Sequence, residues 1–143
     1  MAGRLPGREL SRRDYEALAA FRHALRRFMA FSEAEARAVG LTSQQHQALL
    51  SIKGMARESS DQAGVSVADL AAHLLIRPNT AVELVDRLVG ADLATRHDDP
   101  TDGRRTLVAL TPRAEALLRD LSMIHREELR AIRPTLLRLL DAF

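Results

Sequence analysis

A chain of 143 residues can build one domain with a real core, and 46% hydrophobic with 28% charged residues is ordinary for a soluble globular protein. It contains no cysteine, which excludes disulfides, thiolate metal sites and a cysteine-based redox switch. The net charge is +2, and of 21 basic residues only Lys53 is a lysine. No run of about 18 consecutive apolar residues marks a membrane span, and Met1 to Leu10 lacks a signal-peptide core, so a cytoplasmic location with no membrane partner is expected. Arginine suits planar contact with phosphate or guanine. A G+C-rich genome would produce the same bias, so the bias alone is weak support for nucleic acid.

Met1 to Leu10 carries Gly3, Pro6 and Gly7 and reads as a disordered arm. Its Arg4 and Arg8 could touch DNA phosphates, but a solvated tail is the readier reading. Ser11-Arg12-Arg13-Asp14 is a capping box, in which the Ser oxygen takes an orphan N–H and the acid reaches back. Tyr15, Leu18, Phe21, Leu25 and Phe28 then recur every three or four residues, predicting an amphipathic helix to about Val39. Arg22, Arg26 and Arg27 lie on its other face, and Gly40 ends it. Thr42-Ser43-Gln44-Gln45 is another box, opening a helix with Leu49, Ile52 and Met55 on its stripe. Gly54 to Gly64, with Arg57, Glu58 and Asp61, is a polar loop read as a neutral insertion.

Ser66-Val67-Ala68-Asp69 is the next capping box, followed by Leu70, Ala71 and Leu74 at helical spacing. Leu75-Ile76-Arg77 is long enough only for a turn, and Pro78 suits a first helical position, where its missing N–H costs nothing. Ala81, Leu84, Val85 and Leu88 form one apolar stripe, with Asn79, Val82, Glu83, Asp86 and Arg87 opposite. Two short helices joined this way make a helix-turn-helix. A hairpin follows: Leu93 to Arg96, a turn over Asp98 to Gly103, and Thr106 to Leu110, with Arg104 and Arg105 beside the turn. A helix-turn-helix with a basic-tipped hairpin is a winged helix.

Thr111 and Pro112 start the next helix, with Leu117, Leu121, Ile124, Leu129 and Ile132 along it. Pro134 is expected to break or kink it, leaving Thr135 to Phe143 as a short, strongly apolar last helix. The terminal helices carry more apolar surface than a winged helix can cover, which predicts a symmetric dimer built from both chain ends. The expected fold is mainly α with a small β-hairpin wing. Residues 1–41 form the arm and a dimerisation helix, 42–111 the winged helix-turn-helix, and 112–143 the C-terminal dimerisation helices.

The run Asp69-Leu70-Ala71-Ala72-His73-Leu74, then Asn79 to Leu88, then Asp99-Pro100-Thr101-Asp102-Gly103-Arg104-Arg105, closing on Leu107 to Thr111, resembles the MarR family of bacterial transcription regulators. The likeness is strong over residues 66 to 112 and rests on length and pattern alone for the flanking helices. It implies a homodimeric repressor of double-stranded DNA with a pseudo-palindromic operator, often released by a small effector. Residues 78–89 would enter the major groove. There Asn79 suits adenine, Glu83 cytosine N4 and Val82 a thymine methyl. Thr80 is a phosphate contact or a local cap, and Arg77 replaces the family's usual Ser or Thr cap with a cation. Arg87 is either a phosphate contact or the ion-pair partner of Asp86 or Glu83. By the resemblance, Arg104 enters the minor groove and Asp102 orients it; the alternative is that both only stabilise the hairpin. Arg105 is an extra cation where the family often has a smaller residue.

The family also implies an effector pocket between the dimer helices and the winged helix. Tyr15, Arg22, Phe28, His46 and Leu49 are its candidates, suited to a small aromatic or anionic effector, although each is more readily plain core or surface. His23, His46, His73, His97 and His125 include no pair at metal-ligand spacing on one helix, so no metal or other cofactor is expected. No nucleophile elbow, Gly-rich phosphate loop or paired-acid motif suggests an enzyme. From Arg77 to Arg113 there are six arginines and six acids. That formal neutrality favours one alternative, a winged-helix dimer acting as a protein–protein adaptor without binding DNA.

Overall fold

Four of the five described helices begin where a side-chain oxygen meets the first free N–H groups. The computed structural model describes residues 7, 9–56 and 64–143, so the expectations for Arg4, Arg8 and loop residues 57–63 lie outside the described residues. The elements are α1 (Arg12–Ala38), α2 (Ser43–Met55), β1 (Val65–Ser66), α3 (Val67–Leu74), α4 (Pro78–Gly90), β2 (Ala94–Asp98), β3 (Thr106–Leu110) and α5 (Pro112–Leu140). Before α1, the Ser11 amide donates to Asp14 Oδ2 at 2.7 Å and the Asp14 amide to Ser11 Oγ at 3.3 Å. The Thr42–Gln45 box before α2 is likewise closed in both directions, at 2.9 and 3.1 Å. Before α5, Thr111 Oγ1 accepts from the Ala114 amide at 3.1 Å and donates to the Asp92 carbonyl at 2.8 Å. One hydroxyl therefore caps a helix and ties it to the joint after α4.

At α3 the expected box is only half made. The Asp69 amide donates to Ser66 Oγ at 3.1 Å. The Asp69 carboxylate, however, meets the Arg105 guanidinium at 3.2 Å.

Three helices also end alike. After α1, the Gly40 amide bonds to the Arg37 carbonyl and the Leu41 amide to the Ala36 carbonyl; after α3, Leu75 and Ile76 do the same to Ala72 and Ala71; after α4, Asp92 and Leu93 do so to Val89 and Leu88. These paired bonds form a Schellman stop, whose central residue must take a left-handed backbone. Gly40 has φ 81°, Leu75 57° and Asp92 58°. The next residue is apolar each time, and Leu41 and Leu93 are buried. A β-carbon on Gly40 would meet nothing within 4 Å. Gly40→Ala therefore isolates the backbone cost, and is expected to destabilise the protein by about 1 kcal/mol in urea unfolding.

The sheet has three antiparallel strands in the order β1-β3-β2. Ala94 faces Leu110, Arg96 faces Val108 and Asp98 faces Thr106, while Val65 faces Val108 on the other side. The two-residue β1 was not anticipated from sequence.

Two expectations about the chain end need correction. Pro134 does not break the helix, and there is no separate last helix: α5 runs unbroken from Pro112 to Leu140. Proline removes one backbone bond, and the Leu, Arg, Glu and Ala around Pro134 are good helix formers able to carry the helix across it.

The chain divides into two compact units, residues 33–124 and the chain ends, residues up to Ser32 with His125–Phe143. In the first, Leu49, Ile52, Leu70, Val85, Leu88, Leu93, Val108 and Leu121 are fully buried in one cluster. In the second, Phe21 stands edge-on to Phe143 with ring centres 6.3 Å apart. His125 meets Phe28 and Phe31 edge-on and bonds to Ser32 Oγ at 2.8 Å. Much of the apolar stripe here stays uncovered within the chain: Tyr15, Leu18, Leu25, Leu137 and Phe143 are all exposed. No described helix is long and apolar enough to cross a membrane.

Candidate nucleic-acid interface

The stripe of α4 decides which of its side chains can meet a partner. Ala81, Leu84, Val85 and Leu88 are buried, so Asn79, Thr80, Val82, Glu83, Asp86 and Arg87 are turned to solvent. Arg77 supplies no side-chain cap to α4 and is exposed. Arg87 has no ion-pair partner among the described residues, because Asp86 binds Arg96 of β2 instead. Of the two readings of Arg87, the ion pair is therefore absent here.

The hairpin tip is built from short backbone and carboxylate bonds. Asp99 Oδ1 accepts from the Thr101 amide at 2.9 Å and its hydroxyl at 2.8 Å. These bonds, the Thr101 amide foremost, hold the Asp99 carboxyl below its ordinary pKa. The Asp99 amide donates to the Arg105 carbonyl and the Arg105 amide to the Asp102 carbonyl, each at 3.0 Å. Asp102 Oδ1 accepts from the Arg104 amide at 3.1 Å. Asp102 thus fixes the backbone of Arg104 and leaves its guanidinium without an ion-pair partner among the described residues. Arg105 instead reaches across to Asp69 at the start of α3.

These elements enclose a cleft of about 530 Å³ lined by Ser66, Val67, Ala68, Val82, Asp86, Arg96, Arg104, Arg105 and Thr106. Val82 of α4 and both tip arginines share it, so the helix-turn-helix and the wing present one continuous surface. Sequence reading does not single out Arg96 as part of this surface, nor the pairing of Asp86 with Arg96 and of Asp69 with Arg105. Asp86 and Arg96 lie ten residues apart on a helix and a strand, and Asp69 and Arg105 thirty-six apart. No helical or strand spacing rule joins such pairs. A sixth arginine, Arg113, donates to the Ala91 carbonyl after α4 and is spent on a helix end.

The five effector candidates do not gather in one unit. Tyr15, Arg22 and Phe28 belong to the unit of chain ends, where Tyr15 and Arg22 are exposed and Phe28 is half-buried against His125. His46 and Leu49 are buried in the other, Leu49 within its core cluster. A second cleft, of about 610 Å³, is lined by Lys53, Leu110, Pro112, Glu115, Ala116 and Arg119, none of them a candidate. Among the described residues no three His, Asp or Glu gather as metal ligands.

Residues 39–105, from the end of α1 to the wing tip, match a model described as MarR family. No curated protein matches the chain by sequence. A probable transcriptional regulator from Pseudomonas aeruginosa is 30% identical, with 79% of this chain and 80% of that one covered and a TM-score of 0.61. AbsC, a MarR family transcriptional regulator from Streptomyces coelicolor, shares the fold with a TM-score of 0.72 at 19% identity over 87% of this chain and 81% of that one. A mutant of MepR from S. aureus, bound to an oligodeoxyribonucleotide, shares it with a TM-score of 0.66 at 20% identity over 94% and 99%.

Proposed function

The chain belongs to the MarR family of transcription regulators, and from that premise we propose that it is a dimeric, effector-responsive repressor that binds a pseudo-palindromic duplex. One observation carries the reading. The outward face of α4 is polar and solvent-exposed, and it adjoins a wing whose Arg104 has no ion-pair partner among the described residues. Asn79, Val82 and Glu83 read base edges in the major groove; Arg77, Thr80 and Arg87 hold phosphates. Arg104 enters the flanking minor groove, and the fold resembles that of the MepR mutant bound to an oligodeoxyribonucleotide.

The dimer rests on the exposed apolar residues of α1 and of the C-terminal part of α5, which a second copy covers about a twofold axis. The twofold sets two copies of α4 about one helical turn apart. The effector, a small aromatic or anionic molecule, acts by favouring a dimer whose reading helices are wrongly spaced.

The adaptor reading keeps one supporting observation, the ion pairing of Arg96 and Arg105, which lowers the free positive charge of the module. A gel shift with DNA from upstream of the chain's own gene, repeated across salt, separates the two readings. A repressor binds a discrete fragment with affinity that falls steeply as salt rises. An adaptor binds none at any salt. Light scattering is expected to give twice 15.8 kDa; a monomer at micromolar concentration would overturn the twofold arrangement.

A further inference from the structure

The hairpin brings Arg96, Arg104 and Arg105 to one cleft, and two of the three are already matched by acids. Arg105 meets Asp69 Oδ2 at 3.2 Å, and Arg96 is bonded to Asp86. Both acids come from the helix-turn-helix, Asp69 from the first turn of α3 and Asp86 from the outer face of α4. We propose that Asp69 acts by withholding charge: it neutralises Arg105 at the DNA-facing cleft, so that duplex of any sequence is held more weakly and binding leans on the base contacts of α4. The inference rests on the DNA-binding reading above and adds a residue which that reading does not use.

The magnitudes favour this role over a purely structural one. The two side chains are 48% and 62% exposed, and exposed ion pairs contribute about 0–1 kcal/mol to folding. Non-specific binding is instead governed by how many phosphates the protein neutralises, with each steepening the salt dependence by about 0.9 in log–log slope. A guanidinium 3.2 Å from a carboxylate brings almost no net charge to the duplex. If a phosphate does displace the carboxylate, Asp69 stays nearby and its charge repels the same phosphate. Either way the pair subtracts from affinity for any sequence, while base contacts from α4 are untouched. Base contacts therefore supply a larger share of the binding free energy, because the phosphate term that any sequence can satisfy is smaller. Asp86 and Arg96 repeat the device, but Asp86 lies on the reading face, where its removal would alter base contacts as well.

The test is fluorescence anisotropy with a scrambled duplex and with the operator, between 50 and 200 mM salt, using the full chain. Asp69→Asn keeps the shape of the side chain and removes its charge. Its salt dependence on scrambled duplex should steepen by about 0.9, so its advantage over the parent shrinks about 3.5-fold across that range. Operator affinity should rise by about the same factor, because the added phosphate contact carries no sequence information. In the Asp69→Asn/Arg105→Ala double variant both the added affinity and the added slope should vanish, with thermal melting confirming that each variant folds. An unchanged or shallower slope, weaker binding by Asp69→Asn, or a steeper slope that survives loss of Arg105 would overturn the inference. If the parent itself binds neither duplex, the DNA-binding reading falls and takes this inference with it. If the parent binds and Asp69→Asn is silent, only the inference falls.

Discussion

Replacing Arg104 by alanine is expected to weaken operator binding by about 1–3 kcal/mol, or about 5- to 150-fold at fixed salt. The structure isolates this residue unusually well. Its backbone is pinned by the Asp102 carboxylate at 3.1 Å and by the bonds that close the Asp99–Arg105 turn. Its guanidinium is exposed and has no ion-pair partner among the described residues. Truncation therefore removes the cation that the proposed interface turns toward DNA without removing an ion pair of the fold. Thermal melting of Arg104→Ala should match the parent, and matched melting with matched operator affinity would refute the wing assignment. Asp102→Ala should give a weaker version of the same defect, since it loosens the backbone that carries the arginine.

Leu88→Ala is expected to cost about 2–5 kcal/mol of stability, the range for deleting a fully buried leucine side chain. Leu88 lies on the buried stripe of α4 with no solvent exposure, inside the cluster formed with Leu49, Leu70, Val85 and Leu93. The truncation opens a cavity directly behind the reading face. Its carbonyl also accepts the Leu93 amide at 2.9 Å, so the stop after α4 is built on the same residue. Total stability is only about 5–15 kcal/mol for a typical domain. The urea midpoint should fall markedly at an unchanged m-value, measured at one protein concentration because the stability of the proposed dimer would depend on it. Operator binding should survive at low temperature and disappear as melting begins. Loss of binding with an unchanged urea midpoint would mean that α4 is not held by this cluster.

How much could be read from the chain alone follows a physical divide. Capping boxes at Ser11 and Thr42, the stripe of α4 and the turn over Asp98 to Gly103 are short-range devices, and all are present. What escaped depends on partners distant in sequence. The strand β1 is two residues long and exists only because β3 pairs with it. Asp69 looked like the second half of a capping box until Arg105, thirty-six residues on, supplied a competing charge. Arg87 and Asp86 stand side by side in sequence, yet the carboxylate goes to Arg96. Pro134 carries a strong local signal for a helix end, and the good helix formers on both sides prevail over it. His46 and Leu49 are buried in the unit of residues 33–124, while Tyr15, Arg22 and Phe28 belong to the unit of chain ends.

The repeated stop after α1, α3 and α4 has a consequence for how such a chain can diverge. In each case the left-handed residue is followed at once by an apolar one: Leu41, Ile76 or Leu93. The joint therefore counts residues. Inserting or deleting a single position there would carry the anchoring side chain away from its socket and put the next element out of phase with the core. Sequence drift on the outer surfaces of these helices is cheap by comparison. A lineage built on this chain can change what it reads, substitution by substitution, while the lengths of its three elbows stay frozen.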